Sequence, residues 1–126
     1  MKTMRKIFAL MLALLLLLAG CSSKPKIDPQ YYEAGKQALA IAEAYLADRI
    51  DLAEAKSRAA QLEETLDALP LLSEKDPAFE QSDKVLLYAN SICSRFYMQG
   101  SDKYDAALRQ ELEKIVKYLP GILGLS

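Results

Sequence analysis

The side chains missing from this sequence narrow its chemistry first. Its 126 residues include no His, two Cys, and 17 Asp plus Glu. Without imidazole, a Ser–His–Asp or Cys–His arrangement has no general base. The same gap removes the carboxylate–histidine sets with which helical bundles hold paired irons. It also removes zinc sites of the usual Cys and His kind. No Gly-rich phosphate loop or dinucleotide fingerprint occurs, and no calcium-loop spacing is present. The expectation is no metal and no cofactor.

Carboxylates do cluster, at Glu63-Glu64-Asp67, at Asp102 with Asp105, and at Glu111 with Glu113. Most alternate with Lys and Arg, which is the pattern of a solvated helix face, so no catalytic residue is assigned. Cys93 lies on an apolar helical stripe, where a small buried core residue is expected rather than a reactive thiol. The remaining candidates are aromatic. Tyr45, Phe96, Tyr97 and Tyr104, with Arg49 and Arg95 nearby, all fall close to helix ends that would meet at one end of a bundle. Tyr and Arg gathered in one place resemble a binding hot spot. The structural alternative is a set of rings that plugs the bundle end with hydroxyls in water.

Four helices must position these residues. The first is predicted to start at Asp28, whose carboxylate can cap free amides, with Pro29 at the first helical position where no N–H is needed. Tyr32, Gly35, Leu39, Ala42 and Leu46 recur at helical spacing, and the helix is expected to end near Asp48. Asp51 and Glu54 form the pattern of a capping box for the second helix. That helix carries Leu52, Ala55, Ala59, Leu62, Leu66 and Leu69 on one face, with alanines expected to face Gly35 or Ala42, and Pro70 is expected to end it. A connection over 70–76 leads to the third, starting at Asp76-Pro77 or as late as Ser82. Its stripe is Leu86, Ala89, Cys93 and Phe96, widened by Val85, Tyr88 and Ile92, and Gly100 is expected to close it. Ser101 or Asp102 caps the fourth, which carries Tyr104, Leu108, Leu112, Ile115 and Leu119 until Pro120-Gly121 stops it. An apolar tail follows, expected to cover the seam around Tyr31, Leu69, Leu72 and Phe79 or to touch a bilayer. One stripe per helix and short connections predict an all-α, antiparallel four-helix up-down bundle. The alternative is two stacked helical hairpins.

The N-terminal part reads differently. Lys2, Arg5 and Lys6 precede an apolar run of 13 residues from Ile7 to Ala19, shorter than the roughly 20 a spanning helix needs. Positive end, short apolar segment and small residues at the cut are the order of a secretory signal. The segment Leu18-Ala19-Gly20-Cys21 resembles the lipobox of bacterial lipoproteins. That resemblance covers residues 1–21 only. It implies cleavage before Cys21, a diacylglycerol thioether on Cys21, and at least two acyl chains, enough for stable anchoring. The expected organisation is a signal peptide over 1–20, a lipidated tether over 21–27 and a helical domain over 28–126.

From Cys21 onward the chain would carry 13 basic against 17 acidic residues, a net charge of −4. Such a domain is a poor nucleic-acid binder and has no polybasic patch for anionic lipid. Cys93 would have no partner for a disulfide within the mature chain. The expectation is a protein of the bacterial cell envelope, facing outside the cytoplasm and held to the membrane through Cys21. Its expected role is a non-catalytic interaction module for another envelope protein. The alternatives are a small-ligand binder with a pocket between helices and, more remotely, an enzyme using carboxylates or Cys93.

Overall fold

The computed structural model describes residues 26–125. They form helices α1 (Pro29–Leu46), α2 (Leu52–Asp67), α3 (Phe79–Met98) and α4 (Asp105–Leu123), with a short 3₁₀ turn, Asp102–Tyr104, before α4. No helix among the described residues is long and apolar enough to cross a membrane.

The helix starts are read directly from capping chemistry. Asp28 Oδ1 accepts from Gln30 N at 2.9 Å and Tyr31 N at 3.4 Å, with Pro29 as the first helical residue. Asp51 Oδ1 accepts from Glu54 N at 2.8 Å. The reciprocal half of that capping box is absent, because the Glu54 carboxylate pairs with Arg58 Nε at 2.9 Å instead. Asp76 Oδ1 accepts from Ala78 N at 2.8 Å, so the Asp-Pro signal makes a turn and α3 proper begins at Phe79.

Two helix ends differ from expectation, while α1 ends near Asp48 as its spacing predicts. α3 does not end on a left-handed Gly100: Gln99 turns extended, with ψ 104°, and ends the helix itself. α4 does not stop at Pro120-Gly121 but runs through both to Leu123. Proline lacks the amide that would bond one turn back and normally costs a helix interior about 3 kcal/mol. Here the continued helix buries Leu123 beside Leu119, extending the stripe Leu108, Leu112, Ile115. Burying one such side chain contributes about 1.5–3 kcal/mol, comparable to the proline penalty. The stop comes at Gly124, whose φ of 74° is left-handed. Leu125 N then donates to Pro120 O at 2.8 Å and Gly124 N to Gly121 O at 3.2 Å, the paired bonds of a Schellman end. α1 ends the same way with Asp48 in the glycine position, at φ 58°. Arg49 N donates to Ala44 O at 2.9 Å and Asp48 N to Tyr45 O at 3.1 Å.

Bonds between helix ends record the antiparallel order. At one end, Asp28 N donates to Ser82 Oγ at 2.9 Å, Tyr31 Oη to Pro70 O at 2.7 Å, and Gln81 Nε2 to Ile122 O at 3.4 Å. At the other, Lys56 Nζ donates to Gln99 O at 2.7 Å and Arg109 Nη1 to Leu46 O at 3.2 Å. Each helix packs on its sequence neighbours, and α1 packs on α4, which closes a four-helix bundle. α1 and α3 also pack on each other across the diagonal, while no comparable contact joins α2 and α4. The small residues explain this: α1 buries Ala34, Gly35, Ala38 and Ala42, and α3 buries Ser82, Ala89 and Cys93. Gly35 therefore faces α3 and α4 rather than the alanines of α2. A Cβ placed on it would lie 2.5 Å from Val85 Cγ1 and 3.0 Å from Leu123 Cδ2.

The buried set of α2 is Ala55, Ala59, Leu62 and Leu66, as its spacing predicts, with Leu52 and Leu69 half-buried at its ends. The α1 face is wider than the predicted one: Gly35, Leu39 and Ala42 are buried as expected, Tyr31, Ala34, Ala38, Ile41 and Tyr45 join them, and Tyr32 and Leu46 are only half-buried. Tyr31 and Tyr45 can enter because each hydroxyl finds an acceptor. Among the described residues no buried side-chain polar atom lacks a hydrogen bond.

Candidate functional site

The predicted aromatic end separates into a buried part and an exposed part. Tyr45 and Phe96 are 3% and 0% exposed and meet edge to face, with centroids 5.2 Å apart. Both plug the core. Tyr97 and Tyr104 are 76% and 61% exposed, and Met98 beside Tyr97 is 80% exposed. These three flank the α3–α4 connection. Arg95 Nη2 lies 3.5 Å from Glu111 Oε2, across the α3–α4 pair. Arg49 lines a cleft between the α1–α2 turn and the start of α4.

That cleft is open, about 430 Å³, and its back wall is a polar network. The end of α1 supplies Tyr45 and Asp48, and the first turn of α4 supplies Asp105 and Arg109. Tyr45 Oη donates to Asp105 Oδ1. Arg109 Nε donates to Asp105 Oδ2 at 2.8 Å and Arg109 Nη2 to Asp48 Oδ1 at 2.6 Å. The guanidinium also stacks on Tyr45, 4.8 Å from the ring centroid. Burial and the Asp105 carboxylate push the Tyr45 hydroxyl up to about 12, so it remains a donor. Donated bonds from Tyr45 and Arg109 hold the Asp105 carboxyl below its ordinary range. Its bonds to Asp105 and Asp48 raise the Arg109 guanidinium further above its ordinary value. With both Asp105 oxygens engaged, the network acts as a clasp that fastens the α1–α2 turn to α4. Its Asp48 member stands at φ 58°, a conformation that a residue with a Cβ rarely adopts.

The sequence pattern points Tyr45 to this end of the bundle, but marks Asp105 as part of a solvated face and gives Arg109 no role. The available signal was their spacing: Asp105 and Arg109 stand four apart in the first turns of a helix, where an acid–base pair bridges. Nothing in the local sequence shows that Asp48 completes the set.

A second opening lies at the other end of the bundle. The outer seam of α1 and α2 forms a groove of about 670 Å³ between Pro29, Ala34 and Gln37 on one side and Gln61, Thr65 and Leu69 on the other. It continues along the same seam into a shallower stretch of about 350 Å³ that reaches Ile41 and Leu62. Most of the surface it presents is carbon, since the long side chains contribute their methylene stems and keep their polar ends at the rim.

Cys93 is buried, and burial pushes its thiol up to about 11. Glu111 pairs with Arg95 and Lys114, as expected of a solvated face. No group of three or more His, Cys, Asp or Glu among the described residues is placed to hold a metal ion. Cys21 lies outside the described residues.

No family model, curated protein or solved structure matches this chain.

Proposed function

We propose that the protein is a lipid-anchored interaction module of the bacterial cell envelope, held through Cys21 and presenting one end of its bundle to another envelope protein. The observation that carries the reading is the exposure of Tyr97, Met98 and Tyr104 around the α3–α4 connection. That connection lies at the end of the bundle opposite Lys26, where the chain enters from the anchor. Tyrosines give large, rigid contact area at low entropic cost, and exposed apolar side chains gathered in one place mark interaction sites. At the same end of the bundle, the polar network from Tyr45 to Asp48 ties the α1–α2 turn to α4. The test is recovery of partners with the full lipidated chain and with Tyr97→Ala. Lower recovery at an unchanged Tm supports the reading. Loss of both together points to a structural role for Tyr97.

The groove along α1 and α2 supports a second reading, a ligand-binding lipoprotein with its pocket between helices. Its carbon-rich lining suits an apolar ligand whose polar end stays at the rim.

A further inference from the structure

We infer that the groove between α1 and α2 takes one acyl chain of the lipid on Cys21. This rests on the reading of the protein as a lipoprotein, and deepens its ligand-binding form by naming the occupant.

Position, length and lining support the assignment. The groove opens at Pro29, at the end of the bundle where the chain from Cys21 joins the domain. It follows α1 as far as Ile41. Twelve residues of helix rise about 18 Å. One leaflet of a bilayer, half of its hydrocarbon core, is about 15 Å deep, so the groove matches the length of one acyl chain. Ile27 and Asp28 are held against the bundle, so the reach is set by the stretch from Cys21 to Lys26, five residues on, which spans at most about 18 Å and brings the thioether to the Pro29 end of the groove.

The floor is apolar. Ala34, Ile41 and Leu62 are buried beneath it, and Leu69 is half-buried at its mouth. Gln30, Gln37, Gln61 and Thr65 line it together with the charged Glu33, Glu64 and Arg58, whose carbon stems can lie along an acyl chain while their heads reach water. A covalently tethered chain occupies such a slot at the high effective concentration of a short linker, an advantage that free membrane lipid lacks. Withdrawing one chain from the bilayer leaves fewer to hold the protein, and a single chain holds only weakly and reversibly. The groove thus tunes how firmly the domain is anchored.

The experiment uses the full chain, lipidated in cells fed a palmitate analogue with a photoreactive group near its terminal carbon. The purified protein is placed in vesicles of phosphatidylethanolamine and phosphatidylglycerol, irradiated and mapped by mass spectrometry. The expected result is crosslinking to the segments 29–41 and 58–69. Thr65→Trp, a change at an exposed position that fills the groove, should lower it at least fivefold with unchanged circular dichroism. The same variant should leave labelled vesicles for acceptor vesicles at least threefold more slowly. Crosslinks confined to phospholipid, or spread equally over α3 and α4, overturn the inference and leave the anchor reading standing. Absence of the analogue from residue 21 overturns both. If Thr65→Trp perturbs the fold, Ala68→Trp at the same rim gives the same comparison.

Discussion

Arg109 lies over Tyr45, its Cζ 4.8 Å from the ring centroid, while its guanidinium also bonds two carboxylates, Asp105 and Asp48. One side chain on α4 thereby joins the end of α1, the turn that follows it and the start of its own helix. The aromatic end of the bundle is fixed by this arrangement and not by aromatic packing alone.

The clasp predicts a particular response to acid. The Asp105 carboxyl is held below its unfolded value, so its stabilisation is complete above the ordinary carboxylate range and is lost as pH falls through its folded pKa. Urea unfolding of the domain from pH 7 down to pH 2 should show falling stability below about pH 4. Asp105→Asn should lower stability at pH 7 and flatten that fall. A variant as acid-sensitive as the parent would place the effect elsewhere. At the alkaline end Tyr45 behaves oppositely: its raised pKa gives stability that is intact below pH 10 and lost as pH rises toward 12.

Gly35 predicts the sign of a substitution. Alanine improves helix propensity by about 1 kcal/mol over glycine. Its Cβ would meet Val85 Cγ1 at 2.5 Å, and Val85 is packed in the core. Overpacking of this kind costs about 1–3 kcal/mol and should win. Gly35→Ala should therefore lower the Tm of the domain. A rise would mean that α1 and α3 are farther apart than described.

The run of α4 through Pro120 gives a third prediction. Leu123→Ala should cost about 2–5 kcal/mol, as for any core leucine, because its side chain is 3% exposed. Pro120→Ala, which restores a backbone donor, should raise stability. If the helix instead stopped at Leu119, Leu123→Ala would change the Tm little.

Cys93 offers a probe of native packing. Its thiol is buried and pushed up to about 11, so at pH 8 iodoacetamide should label it only as the domain opens. Labelling should match the unfolded fraction through a urea titration. Rapid alkylation of the folded domain would contradict the placement of Cys93 in the α2–α3 seam.

How far the sequence foretold this structure depends on whether a signal was local. Asp28, Asp51 and Asp76 cap or turn the chain through bonds to amides two or three residues away, and each could be read in place. The α2 stripe was equally legible, because leucines and alanines at 3–4 spacing have one way to face a core. Helix ends set by tertiary packing were not. Pro120 and Gly121 look like a stop until Leu123 is seen filling the space beside Gly35. Asp48 ends α1 in a glycine-like conformation and its carboxylate meets Arg109, 61 residues away, a pairing that no local pattern announces. The candidate site split for the same reason. Tyr45 and Tyr97 are the same residue type near the same end, but only Tyr45 faces a carboxylate that lets its hydroxyl enter the core.

On the proposed reading Cys21 anchors this domain, and the mass of the mature N-terminal peptide reports on that anchor. The expected chain begins at Cys21, with a diacylglyceryl thioether on that residue, is recovered in the membrane fraction and is released from it by Cys21→Ser. A chain that retains residues 1–20, or an unmodified Cys21 with membrane association unchanged by Cys21→Ser, would contradict it.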